Sequence, residues 1–270
     1  MTSRLGVLGW PVAHSRSPAM HNRALEHLGL GARWRYQLLP VPPELFAETV
    51  RALPAAGFRG ANVTIPHKEA ALALADDATG AARAIGAANT LTFAPDGAIA
   101  ADNTDAPGFL DAIGGTERVA GRRALVLGAG GSARAIVWAL LQAGAADVAV
   151  WNRTPGRAAA LAHDLGARAL STAGDAPAAD LLVNCTSVGL HRGDAPFKEL
   201  PLAADALGEY STVVDMVYTP RGTALLAHAR AAGCATVDGL EILARQGARS
   251  LAGWLGRPVP IDEMRRGARA

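Results

Sequence analysis

Between residues 1 and 104, short apolar runs alternate with helix-period patterns. Residues 5–9, 34–39 and 60–65 read as strands. Residues 18–28 and 43–53 read as helices, the second opened by prolines, and Pro66 stands where a further helix would begin. Residues 88–93 and 98–101 predict a hairpin about Pro95-Asp96-Gly97. Gly114-Gly115 and the polar stretch to Arg123 mark a junction. Beyond it a regular βα alternation sets in. Strands are expected at 124–127, 147–151, 180–184, 212–215 and 235–237, and helices at 133–143, 155–165 and 223–232. A long helical pattern covers 239–255. The pattern predicts a two-domain α/β protein, with an N-terminal α/β domain on a mixed sheet followed by a Rossmann-like, doubly wound domain.

Composition narrows the class. The 270 residues are 50% hydrophobic but only 5% aromatic, so Ala, Leu and Val must fill most of two cores. The net charge is +2 and the charges form no run or stripe, which argues against nucleic-acid and membrane-surface partners. Cys185 and Cys234 make neither a disulfide framework nor a paired metal motif. Cys185 follows an apolar strand and is expected to be a buried small residue. The seven histidines contain no His-Glu-x-x-His pattern, so no metal is expected, and His67 reads as a helix-start residue. The stretch from Met1 to Arg4 leads straight into a strand without a signal-peptide pattern, and no apolar stretch nears a ~20-residue span. The cytosol is the expected compartment.

Among the 26 Lys and Arg only two are lysine, Lys68 and Lys198. A chain that otherwise uses Arg keeps Lys where Arg would not serve. Lys is a compact ammonium whose pKa shifts readily, whereas Arg does not give up its proton. Lys198, in the loop-like Pro196-Phe197-Lys198-Glu199, reads as a surface residue, while Lys68 has chemically richer surroundings.

Gly128-Ala129-Gly130-Gly131-Ser132-Ala133 follows a strand and opens a helix. Glycines there permit a tight turn and close approach of backbone to a pyrophosphate, and the helix N-terminus offers free N–H groups. At the end of the next strand an NAD site usually carries Asp or Glu for the ribose hydroxyls. This chain has Asn152-Arg153-Thr154, with Arg157 close by. Arg suits a phosphate dianion, so NADP(H) is the expected cofactor.

Four polar clusters punctuate the first domain: His14-Ser15-Arg16-Ser17-Pro18, Asn62-Val63-Thr64-Ile65-Pro66-His67-Lys68, Gly86-Ala87-Ala88-Asn89-Thr90 and Asp102-Asn103-Thr104-Asp105. Each alone reads as caps and turns. Four in one domain, with a rare Lys among them, point to a polyhydroxylated ligand. These clusters resemble the shikimate dehydrogenase family in order and spacing. So do residues 128–134, Asn152-Arg153-Thr154, Asn184-Cys185-Thr186-Ser187, Asp215-Met216-Val217-Tyr218, and Asp238-Gly239-Leu240 leading to Gln246.

The resemblance spans essentially the whole chain. It implies reversible NADPH-dependent reduction of 3-dehydroshikimate to shikimate, within the pathway to chorismate and the aromatic amino acids. It implies that Ser15 and Ser17 bind the substrate carboxylate with Tyr218 nearby. Thr64, Asn89, Lys68, Asp105 and Gln246 would hold the ring hydroxyls, with Lys68 and Asp105 as the catalytic pair. Thr186, Ser187, Met216 and Gly239 join the glycine-rich turn, Asn152, Arg153, Thr154 and Arg157 as implied cofactor contacts. The C-terminal helix would pack back on the first domain, making residues 1–104 and 238–270 the substrate domain and 105–237 the NADP domain. Glu241 and Ile242 depart from the Gly and Met common in relatives, near where nicotinamide and substrate should meet. The expected partners are small molecules, with the chain a monomer or homodimer.

Other readings carry discriminating features. A quinate/shikimate dehydrogenase using NAD would place an acidic residue near Asn152, and none is there. A methylenetetrahydrofolate dehydrogenase shares the layout but not the paired serines or the Asn-Thr-Asp stretch. A dinucleotide-binding sensor without catalysis would be expected to lack Lys68 or Asp105, and both are present.

Overall fold

The computed structural model describes residues 2–171, 179–190, 195–219 and 221–270. It divides into two compact units, Met1–Gly108 with Leu243–Ala270, and Phe109–Ile242. Among the described residues no helix is long and apolar enough to cross a membrane.

The first unit is built on a six-stranded mixed sheet. Its strands are β1 (Ser3–Gly9), β2 (Trp34–Pro40), β3 (Phe58–Val63), β4 (Asp77–Ala78), β5 (Thr90–Phe93) and β6 (Ile99–Asp102), in the order β2-β1-β3-β5-β6-β4. β1 runs parallel to β2 and β3, whereas β5 is antiparallel to both β3 and β6. The helices are α1 (Ser17–His27), α2 (Phe46–Ala52), α3 (Lys68–Leu74), α4 (Gly80–Ile85) and the start of α5 (Asp105–Ile113). Leu8, Phe46, Val50, Phe58, Val63, Leu91 and Phe93 share one core.

This topology gathers the polar clusters. Leu8 pairs with Val63, Asn62 with Thr90, and Thr90 with Asp102. The end of β1, the end of β3, the start of β5 and the end of β6 therefore lie along one sheet edge. The four polar clusters of the sequence are the connections leaving that edge.

The second unit carries β7 (Arg123–Leu127), β8 (Asp147–Trp151), β9 (Arg168–Ala169), β10 (Leu181–Asn184), β11 (Thr212–Asp215) and β12 (Ala235–Val237). All pairings are parallel, in the order β12-β11-β10-β7-β8-β9. That is the doubly wound order with its switch point between β7 and β10, where dinucleotides bind. α6 (Gly131–Gln142), α7 (Pro155–Leu165), α8 (Pro196–Glu199) and α9 (Ala224–Ala231) belong to this unit. Four buried residues in succession on both β7 and β10 suit a parallel sheet covered on both faces.

α10 (Gly239–Leu255) starts in the second unit and continues into the first, and α11 (Ile261–Arg269) packs on α1. The approach is close. A Cβ on Gly267 would lie 2.7 Å from the Met20 Cα, and one on Gly60 would lie 2.1 Å from the Trp254 indole nitrogen. That nitrogen donates to the Leu91 carbonyl at 3.1 Å. Gly60→Ala is therefore expected to displace the indole and destabilise the protein by about 2–3 kcal/mol, from overpacking plus a lost hydrogen bond. A thermal scan reads this, and an unchanged midpoint would refute the packing argument.

Several local expectations need correction. Residues 43–53 begin as a 3-10 turn, Pro43–Leu45, with the Leu45 N–H bonded to the Pro42 carbonyl, and α2 starts only at Phe46. The third strand runs two residues earlier than expected, because its register is set by β1. Pro66 follows a cis peptide bond and α3 begins at Lys68. Lys198 sits in the short α8 rather than a loop, since Pro196 opens a helical turn there. Cys185 is half-buried, not buried, because β10 ends at Asn184 and leaves it in the connection that follows.

Candidate active site

Lys68 is the first residue of α3, and Asp105 the first of α5. A helix N-terminus favours a carboxylate. Asn103 caps α5 by accepting the Asp105 and Ala106 N–H groups at 3.1 and 3.3 Å, while its amide donates to the Ala87 carbonyl at 2.9 Å. Lys68 Nζ lies 2.5 Å from Asp105 Oδ2, with both side chains at least 90% buried. Burial in a low-dielectric setting makes such a pair hold its geometry, since separating it strands a charge.

Asn89 and Gln246 complete a connected group. Asn89 Nδ2 donates to Asp105 Oδ1 at 2.8 Å and to Gln246 Oε1 at 3.1 Å. Gln246 Nε2 donates one hydrogen to the Leu243 carbonyl of its own helix at 2.8 Å. Four expected residues, 178 positions apart from first to last, are thus linked directly.

Three others stand on connections from the same edge. Thr64 is tied to β1 through its N–H to the Leu8 carbonyl at 2.8 Å. A Cβ on Gly9 would lie 2.4 Å from the Thr64 methyl, so only glycine allows this approach. The Ser17 N–H reaches Ser15 Oγ at 3.3 Å, and Ser17 begins α1. Between them the Arg16 guanidinium donates to the Ala270 carbonyl at 2.8 Å. Tyr218 is half-buried and belongs to the second unit, as do all the expected cofactor contacts.

His67 and His21 have structural surroundings. His67 stacks on Phe46 at 4.4 Å and its Nε2 meets the Val41 carbonyl at 2.7 Å. His21 stacks on Tyr36 at 4.0 Å, and burial pulls its pKa down to about 4, so it is neutral. Among the described residues no cluster of His, Cys, Asp or Glu could hold a metal ion.

In the second unit Gly128 follows β7 with φ +112, which suits glycine alone. A Cβ there would also lie 3.0 Å from the Cys185 carbonyl carbon. α6 opens at Gly131 with no side chain capping its N-terminus, and a Cβ on Gly130 would meet no protein atom within 4 Å. A helix start with a glycine N-cap beside open space suits a pyrophosphate. After β8, Asn152 donates to the Thr154 carbonyl at 3.0 Å, and Arg153 and Arg157 are exposed. These residues fit a dinucleotide bearing a 2′-phosphate.

The turns after β10 and β11 are locked together by a buried group. Asp215 accepts from Thr223 Oγ1 at 2.6 Å, Asn184 Nδ2 at 2.9 Å and the Val217 N–H at 3.1 Å. Asn184 Oδ1 in turn accepts from the Thr186 N–H and hydroxyl. Burial pushes the Asp215 carboxyl up to about 6 despite these donors. Gly239 begins α10 against the same turn, where a Cβ would lie 2.5 Å from the Met216 carbonyl oxygen.

Asn62, Thr90, Asn103 and Thr104 belong to the polar clusters and are buried around the four-residue group, although nothing in those stretches of sequence separates them from ordinary caps.

Residues 7–91 match the family model of the shikimate dehydrogenase substrate binding domain, and residues 112–189 that of shikimate / quinate 5-dehydrogenase. The chain is 51% identical to the NADP(+) shikimate dehydrogenase of Methylobacterium radiotolerans, over 98% of this chain and 95% of the relative. It is 46% identical to that of Paracoccus denitrificans, over 97% and 94%. The shikimate 5-dehydrogenase of Thermus thermophilus, solved in complex with NADP(H) and shikimate, superposes with a TM-score of 0.88 at 44% identity, covering 99% of both chains. The chain belongs to the shikimate dehydrogenase family.

Proposed function

We propose that this protein catalyses the reversible NADPH-dependent reduction of 3-dehydroshikimate to shikimate, as a cytosolic monomer or homodimer. The observation that carries the reading is the buried Lys68–Asp105 pair, joined through Asn89 to Gln246 on one sheet edge. NADPH, when bound, supplies the hydride that adds to the ring carbonyl carbon. Negative charge then grows on the carbonyl oxygen. Lys68 meets that charge with an N–H, and Asp105 holds the ammonium in place. Asn89, Gln246 and Thr64 offer amide and hydroxyl groups for the ring hydroxyls. Ser15 and Ser17 bind the carboxylate through uncharged hydroxyls, with Tyr218 as a further contact.

Residues 1–104 and 238–270 form the substrate domain in this reading, and 105–237 the NADP domain. Gly128, Ala129, Gly130, Gly131, Ser132 and Ala133 receive the pyrophosphate, while Asn152, Arg153, Thr154 and Arg157 take the 2′-phosphate end. Thr186, Ser187, Met216 and Gly239 line the remainder of the dinucleotide. The assay at 340 nm is run with shikimate or quinate and with NADP or NAD. Shikimate with NADP is expected to turn over fastest, and its failure to turn over would overturn the proposal.

A further inference from the structure

Asn89 carries an amide whose two ends differ in chemistry, so its orientation decides what Asp105 receives. The Thr104 backbone N–H lies 2.7 Å from one end, and a backbone N–H can only donate. That end is therefore the oxygen, and the amino end faces Asp105 and Gln246. Two hydroxyls reinforce the assignment: Thr90 Oγ1 lies 3.0 Å from the same oxygen and Thr104 Oγ1 3.1 Å.

The direction of the Thr90 hydroxyl is itself set from behind. Asn62 presents one end to the Asn89 carbonyl at 3.2 Å, and a carbonyl can only accept. That end is the amino group, and it also meets Thr90 Oγ1 at 3.2 Å and Ser250 Oγ at 3.0 Å. The other end of Asn62 accepts from the Tyr36 hydroxyl at 2.8 Å. Thr90, accepting from Asn62, has the Asn89 oxygen at 3.0 Å and Thr104 Oγ1 at 3.2 Å as partners for its hydrogen, and Thr104 Oγ1 donates to the same Asn89 oxygen at 3.1 Å, so both routes end there. Donors thus run one way, from Tyr36 through Asn62, Thr90 and Asn89, and end on a carboxylate oxygen of Asp105.

We propose that Thr90 and Thr104, backed by Asn62 and Tyr36, are positioning residues: they lock the Asn89 amide so that it donates to Asp105, which keeps that carboxylate an acceptor aimed at Lys68. This inference rests on the reading of Lys68 and Asp105 as the reacting pair. Loosening the lock lets the amide turn, and Asp105 then loses the donor that fixes its Oδ1 while Oδ2 faces Lys68.

The test compares Thr90→Val/Thr104→Val with Thr90→Ser/Thr104→Ser, using Lys68→Ala as the reference. The Val pair keeps shape and removes both hydroxyls. Its kcat is expected to fall about 10-fold, as for two weakened hydrogen bonds. The Ser pair is expected to restore it, which a role in packing alone would not. Should the Val pair fail to fold, Thr104→Val alone is read by the same kcat and rescued by Thr104→Ser. A wild-type rate in the Val variants, with Lys68→Ala inactive, would overturn the lock and leave the site reading standing. Equal damage in the Val and Ser pairs would also overturn it. Wild-type turnover by Lys68→Ala would instead remove the reading beneath it.

Discussion

Lys68→Ala is expected to lower kcat for 3-dehydroshikimate reduction by at least ~100-fold, the range for loss of a group that stabilises charge and moves a proton at the reacting atom. The ammonium sits 2.5 Å from Asp105 and only 10% exposed, so no solvent cation takes its place at fixed geometry. Its removal also leaves the Asp105 carboxylate buried with a single amide donor from Asn89. An unpaired buried carboxylate costs about 3–5 kcal/mol when its partner is deleted, so the variant is also expected to melt earlier. Steady-state kinetics and a thermal scan on the same preparation separate the two effects. A rise confined to KM, with kcat unchanged, would make Lys68 a binding residue and not a reacting one.

Arg153→Ala is expected to raise the KM for NADPH by about 10- to 100-fold while leaving the KM for NADH little changed, given about 1.5–3 kcal/mol for a hydrogen bond to a charged group. Arg153 follows β8 and is exposed beside Asn152, at the strand end where a ribose-binding carboxylate is absent. The two cofactors differ only by the 2′-phosphate, so their ratio isolates the guanidinium's contribution from any general damage to the fold. Equal effects on both cofactors would sink the assignment of this end of the site to NADP.

Much of the fold was legible because its signals are local. The apolar runs that became β7, β8, β10 and β11 needed no partner to be read, since strands buried on both faces are continuous in sequence. What escaped was short or disguised. β4 and β9 have two residues each, too few to show a period. α11 is mostly charged, and what makes it a packed element is the burial of Met264, Gly267 and Ala268, with Gly267 set against Met20 of α1. The 3-10 start before α2 depends on backbone bonding, not on residue type.

The fold class, the glycine-rich turn with Arg153 following the next strand, and the singular status of Lys68 among the arginines are legible in the residues alone. These follow from periodicity and from residue chemistry that holds in any context. Which polar residues meet depends on the folded chain. Asn62 bonds Ser250 across 188 positions, and Asn89 bonds Gln246 across 157. A cap, a turn former and a positioning residue are the same side chain in sequence. They become different only when an antiparallel β5 between β3 and β6 brings four chain ends to one edge, where each buried donor must find its acceptor.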